Sequence, residues 1–197
     1  MRARLVAAVR RAGNHITSGS VGLGPVFRAL EAAGRSDVLY EMVRNPTSPG
    51  YGYLIAAGYT TLPEALNGTG SQNHHFLGQV DAWLITGLAG IRQLPGSVAY
   101  REIEIVPAMA GDLTYASGTH STPRGVIRSA WKKEPDGRVS LEISIPIGTT
   151  ANVRLSAVDW KRIETTNTER SPQLVQQSAT ETVYRVGAGR FTFRALN

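Results

Sequence analysis

The stretch FLGQVDAWLITGLAGIRQLPGSVAYREIEI, residues 76–105, changes its hydrophobic period partway along. Its second half alternates isoleucine with glutamate at residues 102–105, as a half-buried strand does. Gly90 and then Pro95 stand where the helical pattern ends. The stretch therefore predicts helices before a division near residues 91–99 and strands after it. The apolar residues at helical spacing are Phe76, Leu77, Val80, Trp83, Leu84, Leu88 and Ile91.

Upstream of this stretch, the pattern predicts a first helix that Gly13 ends and then a hairpin of two helices. Pro25 is predicted to lie just inside the first helix of the hairpin, and Ser36 to cap the second. Residues 46–72 are rich in Gly, Pro, Thr and Tyr, which favours a long connection of turns and short strands. Long ordered connections often hold functional sites.

Downstream, alternation at Leu141, Ile143 and Ile145 and a turn signal at Glu134–Arg138 indicate short strands of an antiparallel sandwich. The polar segment from Thr165 to Thr182 is interpreted as an exposed insertion. The fold class is thus multidomain, helical and then β. We place the domain limits at 1–97 and 98–197.

The composition and charge of the chain indicate which classes of partner are not expected. No membrane partner is expected, since no apolar run approaches the roughly 20 residues that span a bilayer. The net charge of +6 comes from scattered arginines without a recognition motif, so no nucleic-acid partner is expected either. The basic opening has too short an apolar run for an export signal. This favours a cytoplasmic location, unless the true N-terminus precedes Met1.

The segment Thr60–Leu84 brings chemistry-bearing residues close together in sequence. Glu64 precedes Asn73, His74 and His75 by about ten residues. Glu64 suits a catalytic carboxylate, a solvated loop residue or the first turn of a helix. Asn73 suits hydrogen bonding to a ligand or helix capping, and His74 suits a ligand contact or a bond to nearby backbone. Adjacent histidines diverge by about 100 degrees on a helix, so no metal ion or cofactor is expected.

Tyr51 and Tyr53 precede this segment, and their rings suit either stacking against a ligand or packing under the loop. Neither interpretation is excluded by the spacing alone.

Three motifs stand in order along the helical part of the sequence: GNHITSGSVGLGPVFRALEAAGRSDVLYEMV, PGYGYLIAAGYTTLPEAL and SQNHHFLGQVDAWLITGLAGI. Together they resemble the final helices of the catalytic domain of the bacterial α-L-rhamnosidases. The segments REIEIVPAM and PIGTTANVRLS look like the β-sandwich that follows that domain. The likeness spans nearly the whole chain apart from the polar insertion.

The resemblance implies a barrel of six helix pairs, an (α/α)6 barrel, of which this chain holds the C-terminal part. It implies an inverting hydrolase of terminal α-L-rhamnose, with a rhamnose-containing glycoside as substrate. Glu64, behind Thr60 and Thr61, matches the general base of the family. His74 matches a residue that contacts the sugar, with Asn73 beside it, and Tyr51 stands where a Trp is usual.

The sequence also departs from the family pattern. Pro63 and Leu66 replace residues usual around the base, and the general acid belongs to an acidic motif upstream that this chain lacks. The chain is therefore expected to be a fragment, with the N-terminal part of the barrel missing, and to be nearly inactive alone. The alternative is a non-catalytic carbohydrate-binding or inactive remnant without the acid.

Overall fold

The computed structural model describes residues 2–160, 162–166 and 171–196. The chain forms two compact units, Met1–Trp83 and Leu84–Asn197. The first is helical and the second is built of strands, which confirms the predicted order of fold classes. In the described residues, no helix is both long and apolar enough to span a bilayer.

The helical unit is assembled around buried apolar side chains of successive helices. Its α-helices include the predicted hairpin of α2 and α3, and α3 carries an apolar stripe that is buried. The bounds are α1 Arg2–Arg11, α2 Gly19–Ala32, α3 Ser36–Arg44, α4 Tyr51–Ala56 and α5 Val80–Trp83. The most deeply buried side chains of the unit are Leu23, Leu30, Leu39, Met42, Leu77 and Trp83.

Two predictions about the hairpin are wrong. Pro25 lies in the interior of α2, because α2 already begins at Gly19. A proline at this position has no N–H to donate to the carbonyl of Val21, so α2 lacks one of its backbone hydrogen bonds there. Ser36 is the first residue of α3 and makes no capping bond. Its hydroxyl instead accepts a hydrogen bond from the indole of Trp83 at 3.4 Å, because burial of that indole requires a polar partner.

The connection over residues 46–72 contains no strand. It holds the short helix α4 and turns, so the expectation of short strands is wrong while that of a long connection is confirmed. Gly50, which precedes α4, donates its backbone N–H to the carbonyl of Leu66 at 3.1 Å. This bond ties the start of the connection to its far part.

Residues 75–88 are helical in three successive forms. They comprise a 3-10 helix His75–Gln79, α5, and a π-helix Leu84–Leu88. The prediction that the helix reaches Ile91 is wrong, because Ile91 opens a strand. Gly90 has a φ of +77°, and a side chain there would lie 2.3 Å from the backbone nitrogen of Pro107. The helical residues therefore end before Gly90, so the prediction that Gly90 marks the end is confirmed, while the inclusion of Ile91 in the helical pattern is wrong.

The second unit is a sandwich of two five-stranded sheets in the described residues. One sheet has the order β1-β2-β6-β9-β8 and the other β3-β4-β5-β10-β7. All neighbours are antiparallel except β2 and β6. The strands are β1 Ile91–Gln93, β2 Glu102–Ile105, β3 Tyr115–Thr122, β4 Gly125–Lys133, β5 Val139–Ile145, β6 Thr150–Ser156, β7 Arg162–Thr166, β8 Gln173–Gln177, β9 Glu181–Val186 and β10 Gly189–Leu196.

The predicted alternation fixes which side chains enter the core of the sandwich. Leu141, Ile143 and Ile145 of β5 are buried, while Glu142 between them is exposed. Both sheets contribute to one apolar cluster that includes Trp131. The turn over residues 134–138 joins β4 to β5, as predicted, through a 2.8 Å bond from the N–H of Glu134 to the carbonyl of Arg138.

Most described residues of the segment from Thr165 to Thr182 are exposed, but Thr182 is buried and the segment is not simply an insertion. It contains β8, which pairs with β9 at the edge of the first sheet, and every residue of β8 is exposed. A strand exposed on both faces shows no alternation, so its side chains carried no signal. Residues 167–170 of this predicted insertion lie outside the described residues.

Candidate active site

Glu64 stands at the neck of a narrow loop, residues 62–74, here called the Glu64 loop. Three backbone hydrogen bonds close it, each from one side of the neck to the other. His74 donates to the carbonyl of Leu62 at 2.7 Å, Glu64 to that of Ser71 at 2.7 Å, and Ala65 to that of Thr69 at 3.1 Å. These bonds fix the backbone on both sides of the Glu64 side chain.

The tip of the Glu64 loop is fastened to the connection around it. Leu66 is buried, and its carbonyl accepts the N–H of Gly50. The hydroxyl of Tyr59 donates to the carbonyl of Gly68 at 3.4 Å. Within the tip, the side chain of Asn67 accepts bonds from both the N–H and the hydroxyl of Thr69. The loop is therefore ordered by its own polar groups and by one buried leucine.

The carboxylate of Glu64 is exposed and carries few contacts. Its Oε2 accepts the backbone N–H of Ser71 at 3.3 Å. In the part of the chain that the structure describes, Glu64 forms no ion pair with an arginine, lysine or histidine. A carboxylate without a cationic partner keeps oxygen atoms available to accept a proton.

Glu64 is one of the residues that line a cavity of about 460 Å³ in the helical unit, a volume within the range of small-molecule sites. The cavity is formed by the segment that enters α2, the residues before α4, the Glu64 loop and the 3-10 helix. One part of the lining is apolar and another presents hydroxyl and amide groups. The side chains concerned are Ile16, Pro49, Leu66 and Leu77 on the apolar part, and Thr17, Ser20, Asn67 and Glu64 on the polar part.

The predicted substrate-binding residues do not line that cavity. Tyr51 and Asn73 line a neighbouring cavity of about 580 Å³, together with His75. The ring of His74 is half-buried and lies 5.7 Å, between centroids, from the ring of Phe76. The structure thus places Glu64 in one concave surface and Tyr51 and Asn73 in another.

Asn73 does not cap a helix. The 3-10 helix begins after His74, and no side chain caps it. The capping alternative for Asn73 is therefore wrong, and its exposed amide is available to a ligand.

Tyr51 is a buried side chain, with 6% of its surface exposed. Its hydroxyl donates a hydrogen bond to the carbonyl of Leu77, joining α4 to the 3-10 helix. Burial raises the pKa of Tyr51, and the negative charge of Asp81 raises it further. The hydroxyl is therefore a structural donor, and packing under the loop describes most of this ring.

Sequence reasoning missed Gly70 and Ser71, which lie against the Glu64 carboxylate. A Cβ on Gly70 would lie 2.8 Å from Oε2 of Glu64. The run Asn67–Ser71 is a turn signal, but turn chemistry does not say which side chain the turn faces. Thr17 and Ser20 were also missed, since nothing in their spacing relates them to Glu64.

The chain thus combines a helical unit, in which Glu64 lines a cavity, with a β-sandwich. Residues 1–88 match the bacterial alpha-L-rhamnosidase 6 hairpin glycosidase domain. Residues 90–170 match the bacterial alpha-L-rhamnosidase C-terminal domain. The chain belongs to the bacterial α-L-rhamnosidase family, which confirms the resemblance seen in its motifs.

Relatives of known name agree with this assignment. An alpha-L-rhamnosidase of Streptomyces avermitilis is 30% identical over 201 residues, covering 96% of this chain and 19% of the relative. An alpha-L-rhamnosidase of Formosa agariphila is 28% identical over 175 residues, covering 83% of this chain and 19% of the relative. This chain therefore spans about a fifth of the length of these relatives.

Solved structures show the same fold. The Streptomyces avermitilis alpha-L-rhamnosidase complexed with L-rhamnose superposes with a TM-score of 0.87 at 29% identity, covering 98% of this chain and 19% of that one. The alpha-L-rhamnosidase from Dictyoglumus thermophilum gives 0.82 at 29% identity, covering 96% of this chain and 22% of that one.

Proposed function

We propose that the full-length protein carrying this chain hydrolyses terminal α-L-rhamnosides with inversion, and that Glu64 is its general base. One observation carries the proposal: Glu64, whose carboxylate has no cationic partner in the described residues, lines a cavity within the part of the chain that matches the six-hairpin glycosidase domain. The names of the relatives support the substrate class.

Hydrolysis of a glycoside with inversion needs two carboxyl groups about 6.5 to 9.5 Å apart, with room for a water molecule beside one of them. In the proposed reaction, Glu64 takes a proton from that water while the water oxygen bonds to the anomeric carbon. The bond from the anomeric carbon to the departing oxygen breaks, and a second carboxyl group protonates that oxygen. The family resemblance implies that this acid belongs to an acidic motif separate from the segment around Glu64.

The contacts of Glu64 suit this role. Its single hydrogen bond in the described residues goes to Oε2, from the N–H of Ser71, which leaves Oε1 to accept a proton from water. The ordered Glu64 loop holds the carboxylate in place before substrate arrives. A general base positioned in this way contributes about 100 to 10,000-fold in rate.

The lining of the cavity suits a deoxy sugar. Rhamnose carries a methyl group at C6 in place of a hydroxymethyl group, so it has an apolar edge and polar ring hydroxyls. The apolar lining around Leu66 and Leu77 fits the methyl edge of the sugar. The hydroxyls of Thr17 and Ser20 can form hydrogen bonds with its ring hydroxyls.

His74, Asn73 and Tyr51 are the proposed substrate-binding residues. Asn73 and Tyr51 line the neighbouring cavity, where an exposed amide suits a sugar hydroxyl. Tyr51 offers its ring only, because its hydroxyl is used by Leu77. For His74, the proposal rests on its place in the family motif.

Replacement of Glu64 by glutamine in the full-length protein tests the assignment. Glu64→Gln keeps the shape of the side chain and removes the basic oxygen, so kcat on an aryl α-L-rhamnoside is expected to fall by about 100 to 10,000-fold. Binding of rhamnose, followed by calorimetry, is expected to persist. Glu41→Gln changes an exposed carboxylate of α3 and is the matched control, with near-normal turnover expected. Turnover by Glu64→Gln close to that of this control contradicts the role.

A further inference from the structure

The carboxylate of Glu64 lies directly over Gly70. A Cβ added to Gly70 would lie 2.7 Å from the Cβ of Glu64 and 2.8 Å from its Oε2. Real Cβ atoms do not approach other heavy atoms so closely, so any side chain at position 70 pushes the glutamate away. Gly70 also has a φ of +85°, in the left-handed region that glycine adopts without steric cost.

The surroundings leave few other groups that could fix this carboxylate. The backbone of Glu64 is bonded to that of Ser71, so Gly70 and the glutamate are held face to face across the neck of the loop. The side chain itself receives one bond, from the N–H of Ser71. In the described residues no cation holds it. Contact with Gly70 and this N–H therefore set where the carboxylate points.

We propose that Gly70 is a positioning residue, whose missing side chain lets the Glu64 carboxylate lie where it meets the hydrolytic water. The inference rests on the proposed function of Glu64. A displacement of about 1 Å in a reacting group can lower a rate by about 100-fold. A side chain at position 70 is thus expected to lower kcat while leaving the apparent KM nearly unchanged, because the contacts to the sugar persist.

The experiment compares Gly70→Ala with Gly58→Ala in the full-length protein. Gly58 follows α4 with a φ of +80°, and a Cβ there would meet no atom within 4 Å. Both variants therefore carry similar backbone strain, and only the first contacts Glu64. We expect kcat to fall by about 10 to 100-fold in Gly70→Ala and to stay near normal in Gly58→Ala. Equal kcat in the two variants overturns the inference.

A second pair of variants covers the case in which Gly70→Ala fails to fold. Asparagine adopts positive φ more readily than alanine but still has a Cβ, so Gly70→Asn keeps the contact with less strain. Gly58→Asn is its control. A folded Gly70→Asn variant with a lowered kcat supports the inference, and one with the turnover of Gly58→Asn overturns it.

The two proposals fail in different ways. If Glu64→Gln abolishes turnover while the Gly70 variants match their controls, only the positioning role is lost. If Glu64→Gln retains turnover, the base assignment falls, and the role of Gly70 falls with it.

Discussion

The buried hydroxyl of Tyr51 gives a stability prediction with a defined magnitude. In Tyr51→Phe the ring is kept, so no cavity forms, but the hydrogen bond to the carbonyl of Leu77 is lost. Leu77 is 1% exposed, so its carbonyl loses a partner in a dry environment. Leaving a buried acceptor unsatisfied costs about 1 to 3 kcal/mol. We expect the free energy of unfolding to fall by that amount near neutral pH.

Because the Tyr51 hydroxyl can ionise, the stability difference between the wild type and Tyr51→Phe depends on pH. The pKa of Tyr51 is raised in the folded state, chiefly by burial and then by Asp81, while an unfolded tyrosine titrates at about 10. Above about pH 10 the unfolded chain has lost this proton and the folded chain keeps it, so ionisation favours unfolding. The contribution of Tyr51 is fully present below about pH 10. It then decreases by about 1.4 kcal/mol per pH unit.

Urea denaturation of the wild type and Tyr51→Phe at about pH 8 and about pH 11 measures both effects. The difference in unfolding free energy is expected to narrow at the higher pH, because phenylalanine does not ionise. Tyr53→Phe is the matched control, since the hydroxyl of Tyr53 makes no hydrogen bond in the described residues. A Tyr51→Phe variant as stable as this control, or a difference independent of pH, refutes the reasoning.

Two further predictions concern the sandwich. Leu141→Ala removes a fully buried side chain from the core that both sheets share. Urea titration is expected to show a free energy of unfolding lower by about 2 to 5 kcal/mol. A decrease below about 1 kcal/mol contradicts the burial of Leu141. Arg154 bonds Glu104 at 2.9 Å and Glu181 at 2.7 Å, linking β2, β6 and β9. Arg154→Met is expected to destabilise the protein by about 1 kcal/mol at low salt and by less in 1 M NaCl. A loss that does not change with salt argues against an ionic role.

The spacing of apolar residues predicted the strands and helices that bury one face against a core. The alternation of Glu102, Ile103, Glu104 and Ile105 predicted β2, and the turn signal at residues 134–138 lies where the hairpin of β4 and β5 is found. Elements whose side chains do not alternate between buried apolar and exposed polar residues were not predicted. β8 is exposed on both faces and is held by backbone pairing with β9, so its side chains carry no period.

For the candidate site, the sequence pointed to individual residues but not to their arrangement in space. The resemblance singled out Glu64 as a candidate, because its motif consists of consecutive residues, and the role of Glu64 stays a prediction. The separation of Glu64 from Asn73 into two cavities depends on how the Glu64 loop folds back at residues 62 and 74. Spacing along the chain contains no information on that fold.

The sequence by itself determined the order of a helical and a β region, the family, and the carboxylate proposed to act as base. These depend on hydrophobic periods and short motifs, which involve neighbouring residues only. The tertiary structure alone decided that Ser36 bonds Trp83, that Tyr51 holds Leu77, and that Gly70 lies beneath Glu64. Each of these contacts depends on side-chain packing and on how the chain turns between the two residues, which no local pattern records.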